Sequence, residues 1–194
     1  KIYTQENDKL IYLNKIALPG KHNLSNLLAA ATVAHFMYIP NKHIEKIMAT
    51  FTGVPHRLEP VVTLKGVDYV NDSKATNIDS VKVALDSFNK SIILILGGQY
   101  KGGNFKKLLP HANNIKAVLA YGQAHQTIET ALGDAVRLYI FDNLKDAVSK
   151  SQSLASPGDI VLLSPGCASF DQFDNFEHRG DLFKQWVSQL EEQK

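Results

Sequence analysis

Cysteine is almost missing: Cys167 stands alone in 194 residues. A single thiol excludes an intrachain disulfide and any multi-cysteine zinc site, so no metal ligand set is assigned. A reducing cytoplasm is then the simplest setting. Excess charge of either sign is missing too. Lys plus Arg is 21 and Asp plus Glu is 19, a net charge of +2. Bulk electrostatics therefore give no support to nucleic acid as a partner. No block of five or six like charges forms a tail. The longest apolar run, Ile92-Ile93-Leu94-Ile95-Leu96, is far short of the ~20 residues that span a bilayer, so no membrane partner is expected. Internal repeats and low-complexity segments are absent. The opening Lys1-Ile2-Tyr3-Thr4-Gln5 has no methionine and no signal-peptide pattern, and it reads as the middle of a longer protein.

What is present is an ordinary globular composition, 44% hydrophobic and 21% charged, in a length that fits one large domain or one domain plus part of another. Residues 1–4, 10–13 and 15–18 read as short strands without obvious partners. An Ala-rich apolar helix covers 27–37, with Pro40 ending it, and a second helix covers 41–51. Gly53-Val54-Pro55 breaks the pattern. Two helices and three short strands bury little core alone, so residues 1–53 are expected to be the tail of a larger domain.

From residue 54 the pattern is regular. A hairpin is predicted at 61–64 and 67–70, and strands at 91–96, 117–121, 137–141 and 159–164. Helices are predicted from 78 to about 88 and at 105–109, 123–132, 144–151 and 177–191. Short strands alternating with helices predict an α/β fold, a Rossmann-like, mostly parallel sheet with helices on both faces. In such sheets ligands bind beyond the carboxyl ends of the strands. Three of those ends are unusually polar or glycine-rich, at 71–77, 97–104 and 164–175, and all three are expected on one rim.

Each end suggests chemistry. Asn71-Asp72-Ser73-Lys74-Ala75-Thr76-Asn77 is a strand-to-helix turn, where unpaired N–H groups and the helix dipole favour an anion. Gly97-Gly98-Gln99-Tyr100-Lys101-Gly102-Gly103 sets one lysine among four glycines. The spacing is not that of the nucleotide phosphate loop, and a flexible turn with a solvated lysine is an equal reading. Ser164-Pro165-Gly166-Cys167-Ala168-Ser169-Phe170-Asp171 offers hydroxyls and backbone N–H groups to a carboxylate. Cys167 reads as a small packing residue rather than a nucleophile. Beside the break, His56-Arg57 is either a phosphate clamp or, through Arg57 and Glu59, a surface ion pair. Asn23 is either a helix N-cap or a ligand contact.

Four segments in order carry a resemblance: Gly20-Lys21-His22-Asn23-Leu24-Ser25-Asn26, Pro55-His56-Arg57-Leu58-Glu59, the turn 71–77, and Ser164-Pro165-Gly166-Cys167-Ala168-Ser169-Phe170-Asp171-Gln172-Phe173. Together the chain resembles the second half of a Mur ligase of peptidoglycan synthesis. Ser73-Lys74-Ala75-Thr76-Asn77 points to the D-glutamate-adding branch, since sibling enzymes carry His-Asn-Pro or Asn-Ala-Asn-Pro there. The resemblance implies ATP and Mg2+, and phosphorylation of the carboxylate of UDP-N-acetylmuramoyl-L-alanine. Attack by the amine of D-glutamate then follows, in a cytoplasmic monomer.

By position, the resemblance assigns Asn23 and Asn26 to the nucleotide from a central ATP-binding domain, here residues 1–53. His56 and Arg57 go to the interdomain adenine and phosphate region, and Asp72 to the ribose hydroxyls. Lys74 becomes the lysine brought in on closure about a hinge at Val54-Pro55. Thr76, Lys101, Ser169, Phe170 and Phe176 become the D-glutamate pocket. The catalytic set implied is Lys74, His56 and Arg57. Tyr100 departs from the acidic residue common before the pocket lysine, and Gly166 from a usual alanine. The phosphate loop, the magnesium ligands and the UDP-binding domain would precede Lys1, so this chain alone is expected to be inactive. Alternatives are another amino-acid-adding ligase, such as a folylpolyglutamate synthase-like enzyme, and a non-catalytic nucleotide- or amino-acid-binding module.

Overall fold

The computed structural model describes residues 2–3, 9–18 and 21–192. The chain divides into two compact units, Lys1–Gly53 and Val54–Lys194.

In the first unit β1 (Ile2–Tyr3) pairs antiparallel with β2 (Lys9–Ile11), so the first two expected strands partner each other. Lys1, Thr4, Pro19 and Gly20 lie outside the described residues. The expected strand at 15–18 does not form. Leu13–Lys15 is a 3-10 turn, and Ala17 N–H donates to the Met48 carbonyl, so this segment is tied to a helix end rather than to a strand. Helix α1 runs Lys21–Phe36, six residues earlier than the apolar run suggested. Nothing in Lys21–Phe36 breaks a helix: it contains no Gly or Pro. Asn23 therefore lies inside the helix, which rules out its role as N-cap. The helix stops at a left-handed Tyr38 (φ 60°), and Pro40 is the N-cap of α2 (Asn41–Thr50). Leu10, Ile11, Leu27, Ala31, Ile44 and Met48 form a small core.

The second unit holds six strands: β3 (Glu59–Leu64), β4 (Val67–Asn71), β5 (Ile92–Gly97), β6 (Ile115–Tyr121), β7 (Leu138–Phe141) and β8 (Ile160–Gly166). Their order is β3-β4-β8-β5-β6-β7. Only the β3–β4 hairpin is antiparallel. Central β5 is buried at every position, as an apolar run in a parallel sheet covered on both faces must be. Helix α3 (Ile78–Asp86), the 3-10 segment Phe105–Asn114 and α4 (His125–Leu132) pack on one face. Helices α5 (Leu144–Leu154) and α6 (Phe176–Glu192) pack on the other. The sequence-based expectation of a mostly parallel sheet between helical layers is met. The segment after β5 is a 3-10 run with Pro110 inside it, not a regular α-helix, since in an α-helix the proline ring would clash with the carbonyl four residues back.

The strand order places β4, β8 and β5 side by side. Their carboxyl ends are the three polar segments singled out in the sequence, and they lie on one edge of the sheet.

Candidate functional site

The turn after β4 is held from both ends. Asn71 is fully buried, and its side-chain oxygen accepts from Ser73 N–H at 3.1 Å. Its amide nitrogen reaches Glu59 Oε2 (3.0 Å) and His56 Nδ1 (3.1 Å). With the amide oriented by Ser73 and Glu59, His56 Nδ1 is an acceptor and the ring proton sits on Nε2, 3.8 Å from Asp181 Oδ1. Asn77 then caps α3, accepting from Ser80 N–H at 2.9 Å. Its first turn is thus closed by a side chain, as N-cap chemistry requires.

Asp72 is buried, with 5% of its surface exposed. One carboxylate oxygen accepts from Leu58 N–H (3.2 Å) and the other from Ser164 Oγ–H (2.8 Å). Burial pushes its pKa up to about 6, against the pull of those two hydrogen bonds and of the Arg57 charge. Each oxygen retains acceptor capacity, because a carboxylate has about four lone-pair sites.

Segment 56–58 is buckled. His56 and Leu58 both have positive φ, 63° and 46°, a conformation that costs of order 1–3 kcal/mol per non-glycine residue. Four hydrogen bonds hold it: His56 N–H to Glu59 Oε2 (2.8 Å), Arg57 N–H to the Val54 carbonyl (3.3 Å), Lys74 N–H to the His56 carbonyl (3.0 Å), and Leu58 N–H to Asp72. The Arg57–Glu59 ion pair weighed in the sequence does not form. Glu59 is taken by His56, Asn71 and Lys184, and Arg57 stays exposed. His56 packs on Phe176 edge to face, with ring centroids 6.1 Å apart.

The two lysines of the rim face aromatic rings. Lys74 Nζ lies 5.7 Å from the ring centre of Phe176, and Lys101 Nζ lies 4.8 Å from that of Phe170. Neither has a carboxylate within ion-pair distance among the described residues. Tyr100, the unusual residue before Lys101, stacks on Phe105 (5.8 Å, 26°) and its hydroxyl donates to the Gly103 carbonyl at 2.6 Å. It closes the glycine loop into a compact turn with Lys101 exposed. Thr76 is also exposed, whereas Ser169 is buried.

The β5 and β8 loops are bonded to each other. Gln99 N–H donates to the Ala168 carbonyl (2.9 Å) and Ala168 N–H to the Gln99 carbonyl (3.1 Å). Behind them lies Arg179, fully buried in the first turn of α6. Buried Cys167 beside it has its thiol pushed up to about 12 by burial, against the opposing Arg179 charge. It stays a neutral packing residue. Asn23, half-buried, and exposed Asn26 lie in the first two turns of α1, in the other unit. Sequence reasoning missed Asn71, Glu59, Ser164 and Arg179 as organisers of the site. Buried polar partners give no periodicity signal.

Fold and rim together define an α/β domain that presents cations and hydroxyls at a topological switch point of its sheet. The family profile described as "Mur ligase, glutamate ligase domain" matches residues 56–167, more than half of the chain, and the chain belongs to that family. It is similar to UDP-N-acetylmuramoylalanine–D-glutamate ligase of Salinibacter ruber, 44% identical over 187 residues, covering 95% of this chain and 41% of that protein. The Geobacillus enzyme of that name is 46% identical over 180 residues (91% and 40%). The one from Bacillus subtilis is 42% identical over 186 residues (94% and 41%). The chain thus spans about two fifths of the length of these relatives.

Among solved structures, UDP-N-acetylmuramate-alanine ligase from Thermotoga maritima superposes with a TM-score of 0.68 at 14% identity, over 91% of this chain and 39% of that one. A bifunctional folylpolyglutamate synthase/dihydrofolate synthase from Yersinia pestis gives 0.63 at 14%, over 90% and 40%. These likenesses show the fold alone.

Proposed function

We propose that the chain is the C-terminal part of an ATP-dependent ligase of the bacterial cytoplasm. The whole protein joins D-glutamate to UDP-N-acetylmuramoyl-L-alanine in peptidoglycan synthesis, the reaction class of EC 6.3.2.9. One observation carries the reading: Arg57, Lys74 and Lys101 stand at the exit ends of the sheet with no bonded carboxylate among the described residues. Uncommitted cations beside hydroxyls are what a dicarboxylate and a transferring phosphoryl group require. The 41–46% identity to proteins of that name over nearly the whole chain supports the amino acid. The fold does not, since folate-adding enzymes share it.

In this reading ATP converts the carboxylate of UDP-N-acetylmuramoyl-L-alanine to an acyl phosphate. The amine of D-glutamate attacks that carbonyl, and the tetrahedral adduct expels phosphate to leave the amide. Lys101, Thr76 and Ser169 bind the carboxylates of D-glutamate, with Phe170 and Phe176 walling the pocket. Lys74 faces the phosphoryl oxygens. His56, with its proton on Nε2, and Arg57 hold the nucleotide phosphates. Asp72 accepts from the ribose hydroxyls with its remaining lone pairs, and it is largely ionised above pH 6. Asn23 and Asn26 meet the nucleotide from residues 1–53, the end of the ATP-binding domain. The exposed Val33, Phe36, Met37 and Tyr38 of that unit suit a surface that more of the domain covers. Among the described residues no cluster of three acidic, His or Cys side chains is placed to hold a metal. In this reading Mg2+ would offset charge on the phosphates. Val54-Pro55 is the hinge for closure.

The test is Lys101→Ala in the full-length protein. A rise of about tenfold or more in KM for D-glutamate is expected for a lost charge-assisted contact. An unchanged KM and turnover would remove Lys101 from the site. A screen of amino-acid substrates in which glutamate of the L configuration or another amino acid wins would overturn the choice of D-glutamate.

A further inference from the structure

We propose that Arg179 is a positioning residue that locks the three rim loops in register, so that the substrate-binding side chains stand preformed. The inference rests on the proposed function for its kinetic consequence, but its structural basis is independent of it.

Arg179 is 0% exposed, and no carboxylate lies within ion-pair distance of it among the described residues. Burying a charge this way carries a large desolvation cost unless its donors are satisfied. They are satisfied by loops and not by an acid. Nε donates to Ser73 Oγ (2.9 Å) and Nη2 to the Ser73 carbonyl (2.7 Å). Nη1 donates to the Cys167 carbonyl (3.1 Å) and the Ala168 carbonyl (3.3 Å). One planar guanidinium therefore clamps the residue before Lys74 to the residue before Ser169. The Ala168 carbonyl also accepts from Gln99 N–H, which brings in the loop of Lys101. Ser73 Oγ–H completes the arrangement by donating to the Phe176 carbonyl at 2.8 Å, fixing the start of α6, which carries Arg179.

The surroundings are shaped to admit the guanidinium. A Cβ on Gly98 would meet the Ala168 carbonyl oxygen at 2.5 Å and Arg179 Nη1 at 3.3 Å. A lysine has one nitrogen on a flexible stem and cannot span four acceptors on two loops, so charge alone does not reproduce the clamp.

The experiment uses the full-length protein with Arg179→Lys and, as a milder variant, Ser73→Ala, which removes one acceptor and the bond to Phe176. Steady-state kinetics and site-resolved amide hydrogen exchange are read together. For Arg179→Lys, KM for D-glutamate is expected to rise about tenfold or more. Exchange at Gln99 and Ala168 is expected to speed up by about tenfold, with Leu94 and Leu119 in the sheet centre nearly unchanged. Ser73→Ala is expected to show the same pattern at about threefold, and it decides the matter if Arg179→Lys does not fold. Exchange that rises equally at the rim and the sheet centre would mean that Arg179 only stabilises the domain, and the proposal falls. It falls equally if the rim amides and KM for D-glutamate stay put. Should the wild-type protein show no dependence on D-glutamate, the functional reading fails, and the exchange data alone still judge the clamp.

Discussion

The two edges of the same sheet treat charge differently. At the entry edge, where the parallel strands begin, two lysines are paired. Lys90 Nζ donates to Asp68 and Lys116 Nζ to Asp159, each at 2.6 Å. Asp159 also accepts from Ser156 N–H at 2.8 Å, and Asp68, bonded by Lys90 and Thr63, has its carboxyl held below the ordinary value. At the exit edge, Lys74 and Lys101 rest over aromatic faces and Arg57 is exposed. Arg179, a fully buried cation there, bonds carbonyls and a hydroxyl. A charge spent on a fixed carboxylate is unavailable to a ligand, whereas a cation over a ring is held by only ~0.5–1 kcal/mol at an exposed site and is released cheaply. The entry edge ties Lys90 and Lys116 to carboxylates, and the exit edge leaves Lys74, Lys101 and Arg57 without one among the described residues, as the proposed binding role requires.

Glycine substitutions probe this contrast most strongly. Gly98→Ala at the exit edge forces a Cβ onto the Ala168 carbonyl with φ at 118°, and it is expected to cost about 2–4 kcal/mol in urea unfolding. Gly158→Ala at the entry edge has φ 97° but no atom within 4 Å of the new Cβ, so about 1 kcal/mol is expected. Equal losses would show that the rim is not tightly built.

Next comes pH. Folded Asp72 titrates at about 6 against an ordinary 3.8. Between those values the folded state holds the proton and the unfolded state has released it. Stability from this group is therefore present below pH 3.8 and lost as pH rises through 6, by on the order of 2–3 kcal/mol. Asp72→Asn should flatten that part of the difference curve. A wild-type-minus-mutant difference that does not change between pH 4 and 6.5 would place Asp72 in a wetter site than the rim described here.

The lysines give a smaller effect with opposite readouts. Lys116→Met strands buried Asp159 and is expected to cost about 1–2 kcal/mol of stability while leaving D-glutamate kinetics alone. Lys101→Met should leave stability within about 0.5 kcal/mol and impair D-glutamate use. If Lys101 proves the more stabilising of the two, the division of labour between the edges is wrong. The mildest change is Phe170→Ala, which removes the ring under Lys101. KM for D-glutamate should rise roughly two- to fivefold, as expected for an exposed cation–π contact.

The sequence by itself determined the layered parallel sheet. The run 92–96 admits burial on both faces only, and glycine-rich or polar segments at 71–77, 97–104 and 164–175 mark where strands end. Family membership was legible in the same segments. Only the tertiary structure decided which strands are neighbours, putting β8 between β4 and β5 and so bringing the polar ends together. It also overruled local signals. The strand expected at 15–18 became a turn bonded to a helix end, Asn23 fell inside α1, and Glu59 turned from Arg57 to His56, Asn71 and Lys184. Arg179 makes the clearest case. Apart from the Ser73 hydroxyl, its acceptors are backbone carbonyls of residues about a dozen and more than a hundred positions away. A backbone acceptor has no residue type, so no pattern of side chains along the chain announces where such a guanidinium will be buried.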